Sequence, residues 1–170
     1  HRLFAALDAN RKPGSLVSSN TSTIRLAELV KGVSPERAGD YLITHFFNPP
    51  SAMRLLEVVA GPTTPMETVY ALTTLASERL GRCVVHCRDT PGFLANRIGN
   101  YWMAVALDAA LGEGIAIEDA DAILSGPFGT PAGLFALFDL VGIDLLPVGW
   151  ASLRAALPSD DPFGSVTTRP

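Results

Sequence analysis

The stretch Tyr41-Leu42-Ile43-Thr44-His45-Phe46-Phe47-Asn48-Pro49-Pro50 decides the fold. Its first half has the apolar character of a buried strand. The two prolines end that strand, because proline lacks the backbone N–H that a central strand must donate. His45 therefore lies near the carboxyl end of the strand, where open α/β sheets bind their ligands. The stretch predicts a histidine in a ligand-binding position.

A carboxylate interrupts the next apolar run, residues 54–59, at Glu57. A buried carboxylate is costly unless another group pairs with it. A hairpin that turns near Ser51 places Glu57 opposite His45, because the two residues are equally far from Ser51 along the chain. The pattern therefore predicts a histidine general base that is held by a glutamate.

Composition limits the possible partners. The 170 residues are 48% hydrophobic and 18% charged, which is enough apolar material for a packed core. The net charge is −4 and no basic stripe is present, so we do not expect a nucleic-acid partner. No uninterrupted apolar run reaches the length that a membrane-spanning helix needs, so we do not expect a membrane partner either.

The two cysteines, Cys83 and Cys87, are expected on one face of a strand. At about 3.3 Å per residue they are too far apart for a disulfide. His86 is expected on the opposite face of the same strand, so we predict no metal site. Unpaired cysteines favour a reducing compartment, and the cytoplasm is the expected location.

Strand and helix patterns alternate up to about residue 88, and only helical patterns follow. The predicted helices of the second part cover residues 91–111, 118–124, 131–140 and 143–157. We therefore predict an α/β domain over residues 1–88 and an all-α domain over residues 89–170. The chain has no initiator methionine and begins within a helical pattern, which is typical of an internal piece of a longer protein.

The polar residues of the loop over 20–23 and Asn96 each allow two interpretations, one structural and one functional. Asn20 and Ser22 lie between a predicted strand (residues 15–19) and a predicted helix (residues 24–31). Ser22 and Thr23 could cap that helix, but a parallel neighbour of the His45 strand would bring the loop to the same sheet edge. Asn96, placed in the second turn of the helix over residues 91–111, could bond a nearby backbone group or donate into a cleft between the domains.

Four motifs together resemble the L-3-hydroxyacyl-CoA dehydrogenase family. They are Ser-Asn-Thr-Ser (19–22), His-Phe-Phe-Asn-Pro (45–49), Leu-Leu-Glu-Val (55–58) and Asp-Thr-Pro-Gly-Phe-Leu-Ala-Asn-Arg (89–97). The resemblance runs from about residue 3 to about residue 163. It implies the C-terminal half of a Rossmann-like NAD-binding domain, followed by a truncated helical C-terminal dehydrogenase domain. The Gly-rich first half of the NAD-binding domain is absent from the 170 residues, so we expect this chain alone to bind NAD poorly.

The resemblance implies NAD-dependent oxidation of L-3-hydroxyacyl-CoA to 3-ketoacyl-CoA, a step of fatty acid β-oxidation. His45 matches the family's catalytic base and Glu57 its carboxylate partner. Ser22 matches the hydroxyl that bonds the reacting oxygen, and Asn96 matches the amide that helps to hold the substrate. Asn20, Ser22 and Asn48 match positions near the nicotinamide.

The resemblance also implies partners: an acyl-CoA substrate and a homodimer formed through the helical domain. The tail at residues 157–163 is similar to bacterial members, some of which are fused to an enoyl-CoA hydratase. Two alternatives stay open. The protein could be a related dehydrogenase of 3-hydroxy acids such as sugar acids, or this piece could be a non-catalytic acyl-binding or dimerisation module.

Overall fold

A computed structural model of the protein describes residues 2–127 and 129–168. The chain divides into two compact units, residues 1–95 and 96–170. The first unit contains a sheet flanked by helices, and the described part of the second is helical. The predicted fold class, α/β followed by all-α, is therefore confirmed. The predicted division at residue 88 rests on where the alternating pattern ends, and it stays a prediction. The last two residues of the predicted helical domain lie outside the described range.

The first unit is built on one four-stranded sheet with the strand order β1-β2-β3-β4. The strands are β1 (Val17–Ser19), β2 (Tyr41–Phe46), β3 (Leu55–Ala60) and β4 (Cys83–Cys87). β1 runs parallel to β2, β2 and β3 form the predicted antiparallel pair, and β4 runs parallel to β3. The carboxyl ends of β1 and β2 therefore share one edge of a mixed sheet.

The helices of the first unit are α1 (Arg2–Asn10), α2 (Leu26–Leu29) and α3 (Met66–Thr74). α2 is shorter than the predicted helix over residues 24–31. Arg25 is still extended, and the chain tightens into a 3₁₀ turn at Val30–Gly32. The sequence over residues 65–81 predicts one helix, because Pro65 and Gly81 bound an amphipathic pattern. The observed helix is regular only as far as Thr74, and a π turn follows at Leu75–Arg79.

Successive side chains of a strand point to opposite faces of the sheet. The side chains of the two faces accordingly belong to two separate hydrophobic clusters. One cluster contains Tyr41, Ile43 and Val59 together with Phe4 and Phe93, among others. A second cluster is formed by Leu56, Val58 and Ala76. His45 and Glu57 share strand parity with Ile43 and Val59, so they point to the face of the first cluster.

The second unit contains five helices within the described residues. They are α4 (Ala95–Gly112), α5 (Ile117–Ser125), α6 (Leu134–Val141), α7 (Leu145–Ala156) and α8 (Pro162–Thr167). Ala104, Leu153 and Phe163 form the buried cluster of this unit. We did not predict α8. Its N-cap is Asp161, whose side chain accepts a hydrogen bond from the Phe163 amide.

No single helix in the described part of the chain is both long and apolar enough to cross a membrane. α6 and α7 reach that length and composition only when taken together, and they meet at a bend of 91°.

The prediction for the start of α4 was wrong. The helix was expected from residue 91, but residues 91–94 form a turn and α4 begins at Ala95. Gly92 (φ 72°) and Phe93 (φ 48°) have left-handed backbones, which a right-handed helix cannot contain. Asn96 consequently lies in the first turn of α4 and not in the second.

Candidate active site

His45 and Glu57 face each other across β2 and β3. The two residues are direct partners in the antiparallel register, which confirms the predicted pairing. The Nδ1 atom of His45 lies 2.7 Å from Oε2 of Glu57. The His45 residue is only 5% exposed and Glu57 is 0% exposed. The sheet register therefore builds a buried histidine–carboxylate pair.

The other carboxylate oxygen of Glu57 accepts backbone hydrogen bonds from the start of α4. Oε1 lies 3.0 Å from the amide nitrogen of Leu94 and 2.7 Å from that of Ala95. Burial raises the pKa of Glu57, but the hydrogen bonds from His45, Ala95 and Leu94 outweigh it and hold the pKa below its usual value. Glu57 is therefore ionised at neutral pH, although it is buried.

The charge of Glu57 decides the tautomer of His45. An ionised carboxylate can only accept hydrogen bonds, so Nδ1 of His45 must be the donor. In the neutral imidazole the proton then resides on Nδ1, and Nε2 keeps its lone pair. The pair is thus arranged so that Nε2 can accept a proton while Glu57 stabilises the resulting cation.

Two phenylalanines contact the imidazole of His45. The ring centroids of His45 and Phe47 are 4.4 Å apart, and those of His45 and Phe93 are 5.9 Å apart. Aromatic contacts of this kind restrict the ring and exclude water from it. Sequence reasoning did not identify Phe93 as part of the site, because its approach to His45 depends on the turn before α4.

The loop after β1 lies beside the end of the His45 strand, as predicted. Ser19 is the parallel partner of Ile43, and Oδ1 of the next residue, Asn20, accepts a hydrogen bond of 2.9 Å from the Phe46 amide. Ser22 follows in the same loop and is exposed. Asn20 and Ser22 therefore belong to the sheet edge at which the His45 strand ends.

The remaining two candidates, Asn48 and Asn96, come from different parts of the chain. Asn48 is exposed just after β2, and its peptide bond to Pro49 is cis. Asn96 belongs to the second unit, where its backbone oxygen accepts a hydrogen bond of 2.7 Å from Nδ2 of Asn100. The structure thus joins His45 directly to Glu57 and brings Asn20 to the same strand end, while Asn96 comes from the helical unit.

Asp89 caps α2, the helix that follows the loop of Asn20 and Ser22. Its two carboxylate oxygens accept hydrogen bonds of 2.6 and 2.8 Å from the amides of Leu26 and Ala27, the first two of α2. The local sequence predicts that either Asp89 or Thr90 caps the helix that follows, with Pro91 in its first position. That prediction was wrong for Asp89, because the carboxylate caps a helix more than 60 residues earlier in the chain.

We expect Asp89→Ala to lower the free energy of unfolding by about 1 kcal/mol, because two helix amides lose their cap. Urea denaturation followed by circular dichroism measures the loss. Asp160→Ala, which removes an exposed carboxylate from a turn in the second unit, is the control and should change stability by less than about 0.5 kcal/mol. Equal effects of the two substitutions would show that the cap contributes nothing.

Cys87 is a further neighbour of Glu57. Its Sγ donates to Oε1 of Glu57 over 3.6 Å. Burial, together with the negative charge of Glu57 and the hydrogen bond to it, raises the pKa of the Cys87 thiol to about 11. The thiol is therefore protonated at neutral pH and chemically inert. The sequence carried no signal for this contact beyond the position of Cys87 on a strand.

Alkylation distinguishes the two cysteines. Cys83 is exposed, whereas Cys87 is half-buried and its raised pKa, about 11, keeps the thiol protonated at pH 8. We expect iodoacetamide at pH 8 to modify Cys83 and to leave Cys87 unmodified, as measured by peptide mass spectrometry. Both cysteines should react at similar rates in 8 M urea, an ordinary unfolding condition. Equal labelling in the folded protein would contradict the contact with Glu57.

Two protein-family descriptions together match nearly the whole chain. Residues 1–90 match the description "3-hydroxyacyl-CoA dehydrogenase, NAD binding domain". Residues 92–167 match "3-hydroxyacyl-CoA dehydrogenase, C-terminal domain". Both matches confirm the resemblance that the four sequence motifs indicated.

Individual proteins agree with these matches. A Rickettsia prowazekii protein named as a fatty acid oxidation complex trifunctional enzyme is 32% identical over 169 residues, which is 99% of this chain and 24% of that protein. The human mitochondrial hydroxyacyl-coenzyme A dehydrogenase is 31% identical over 169 residues, or 98% of this chain and 53% of the human protein.

A solved structure shares the fold. The crystal structure of 3-hydroxybutyryl-CoA dehydrogenase from Escherichia coli K12 superimposes with a TM-score of 0.81 at 35% identity. The match covers 91% of this chain and 32% of that one. The present chain thus spans about a quarter of the Rickettsia protein, a third of the solved chain and half of the human protein.

Proposed function

Because the chain belongs to the 3-hydroxyacyl-CoA dehydrogenase family, we propose that the protein containing it oxidises L-3-hydroxyacyl-CoA to 3-ketoacyl-CoA with NAD. The reaction is a step of fatty acid β-oxidation, the process for which several relatives are named. The observation that carries the proposal is the buried pair of His45 and Glu57, with Nδ1 of the histidine on the carboxylate.

His45 acts as the general base of this reaction. Its Nε2 takes the proton of the 3-hydroxyl, which must leave as the alcohol carbon is oxidised. Glu57 is the positioning residue that fixes the imidazole and stabilises its cation. In the reverse direction the His45 cation returns the proton to the ketone oxygen. By the family resemblance, Ser22 bonds the reacting oxygen. By the same resemblance, Asn96 helps to hold the substrate.

The residues at the carboxyl edge of β1 and β2 fit the nicotinamide end of NAD. Asn20, Ser22 and Asn48 are exposed and offer amide and hydroxyl groups that can bond a carboxamide. When bound, NAD accepts the hydride that leaves the substrate carbon. Asn20 is itself held by the Phe46 amide, so its position is fixed relative to His45.

The test is an assay of NADH oxidation by the full-length protein, with acetoacetyl-CoA and with free acetoacetate as substrates. We expect turnover of the CoA ester and little or no turnover of the free acid. Preference for the free acid would favour the alternative, a 3-hydroxy-acid dehydrogenase. No turnover of either substrate would overturn the proposed dehydrogenase activity.

We also propose a homodimer formed through the helical unit, in a cytoplasmic protein. Exposed apolar side chains on α4 support the dimer, with Ile98 62% and Val105 41% exposed. We further propose that an enoyl-CoA hydratase is fused to the dehydrogenase in a larger protein. The relatives' names, a trifunctional enzyme and a subunit of a fatty acid oxidation complex, support a multifunctional assembly. Light scattering measures the oligomeric state, and a monomeric mass would contradict the dimer.

A further inference from the structure

The turn before α4 contains an unusual backbone. Gly92 and Phe93 are consecutive residues with φ values of 72° and 48°. Glycine adopts this region freely, but a bulky residue such as phenylalanine rarely does. Phe93 is the only non-glycine residue with a positive φ in the described part of the chain. Such outliers occur where the surrounding structure requires a particular geometry.

The left-handed turn directs two consecutive amides toward one oxygen. The N–H groups of Leu94 and Ala95 both donate to Oε1 of Glu57, over 3.0 and 2.7 Å. Successive amides after a left-handed residue form a concave site that favours an anion. The Glu57 carboxylate is the anion in this site, and its second oxygen holds His45.

The side chain of Phe93 contacts the other member of the pair. It is 5% exposed and packs in the cluster of Tyr41, Ile43 and Val59. Its ring centroid is 5.9 Å from that of His45, and the two rings are inclined by 60°. One residue therefore contacts the imidazole through its ring and shapes the carboxylate site through its backbone.

We propose that Phe93 is a positioning residue for the His45–Glu57 pair. Its left-handed backbone directs the two amides to Glu57, and its ring fixes the plane of the imidazole. The expected effect of Phe93 on turnover rests on the proposed function. Its effect on the ring of His45 does not depend on which substrate the protein uses.

Phe93→Leu tests the role of the ring, since leucine stays apolar but cannot make an edge contact with imidazole. Phe4→Leu is the matched control, because Phe4 belongs to the same hydrophobic cluster and contacts Tyr41. Both variants of the full-length protein are assayed for kcat and KM with NADH and acetoacetyl-CoA. The imidazole nitrogens of His45 are observed by NMR after selective ¹⁵N-histidine labelling.

We expect Phe93→Leu to lower kcat by about tenfold, because a small misplacement of a reacting group has a large effect on rate. KM should change little, and the His45 nitrogen resonances should shift or broaden. Phe4→Leu should leave kcat and those resonances unchanged. Phe93→Met, whose unbranched and flexible side chain adapts to irregular space, repeats the test if the leucine variant does not fold.

Equal losses of kcat in the two leucine variants, or an unaltered His45 spectrum in Phe93→Leu, would overturn the positioning role. If the wild-type protein has no dehydrogenase activity, the proposed function fails. The spectrum of His45 in Phe93→Leu and Phe4→Leu still decides the structural inference in that case.

Discussion

His45→Gln should lower kcat for the reduction of acetoacetyl-CoA by about 10²–10⁴-fold, the usual effect of removing a general base or acid. Glutamine can still donate to Glu57 from its amide, so the buried carboxylate keeps a partner. It cannot exchange a proton with the substrate oxygen. The KM for acetoacetyl-CoA should therefore change much less than kcat, as measured by NADH absorbance under steady-state conditions.

His86→Gln is the matched control for this substitution. His86 lies on β4 of the same sheet, is exposed and contacts Thr73. We expect this variant to keep wild-type kcat. If His45→Gln retained more than about a tenth of the wild-type kcat, His45 would be a buried structural histidine, and the base would have to be sought elsewhere.

Glu57→Ala should lower the free energy of unfolding by about 3 kcal/mol, because it leaves buried donors without an acceptor. The strong donors are Nδ1 of His45 and the amides of Leu94 and Ala95, and the thiol of Cys87 is a weaker one. Glu57→Gln should cost only about 1 kcal/mol, since its amide oxygen can still accept from the two backbone N–H groups. Urea denaturation measures both changes, and Glu78→Gln, at an exposed glutamate, is the control.

The same two variants separate stability from catalysis. In Glu57→Gln the side-chain NH₂ faces Nδ1 of His45 and favours the tautomer with the proton on Nε2. That tautomer cannot accept the substrate proton, so kcat for alcohol oxidation should fall by about 10²-fold or more although the protein stays folded. A Glu57→Gln variant with full activity would contradict the orienting role of the carboxylate.

The pKa of Glu57 also gives stability a pH dependence with a definite sign. Its pKa is lower in the folded protein than in the unfolded chain, where it is about 4.3. The stability that the charged carboxylate contributes is therefore present above that pH and is lost as the pH falls through the folded pKa. The stability difference between wild type and Glu57→Gln should stay constant above about pH 5 and should shrink as the pH falls below about 4.3. A difference that stayed constant down to low pH would contradict this account.

The His45–Glu57 pair could be predicted from the sequence because a hairpin has few possible registers. Once the prolines at 49 and 50 end β2, the period of two in a strand fixes which residues share a face and which face each other. The buried carboxylate then required a partner within reach. Local pattern and pairwise chemistry were sufficient for this part of the site.

Contacts between distant parts of the chain could not be predicted in this way. Asp89 caps α2, and the amides at the start of α4 donate to Glu57. Neither contact can be recognised from a short stretch of sequence, because each joins residues that are far apart in the chain. The Thr90-Pro91 pair has the pattern of a helix start, but Gly92 and Phe93 turn the chain first, and the amides after this turn donate to Glu57. Residues 91–94 therefore form a turn with tertiary hydrogen bonds, although their local sequence favours a helix.

The most direct test of the central claim is the ¹⁵N NMR spectrum of His45 in the folded, selectively labelled protein, at a pH where the ring is neutral. A general base that Glu57 orients must present an unprotonated Nε2 to the substrate. We predict a protonated Nδ1 that is hydrogen-bonded to Glu57, and an Nε2 without a proton. A proton on Nε2 would contradict the account, because neither the carboxylate contact nor the base would then work as described.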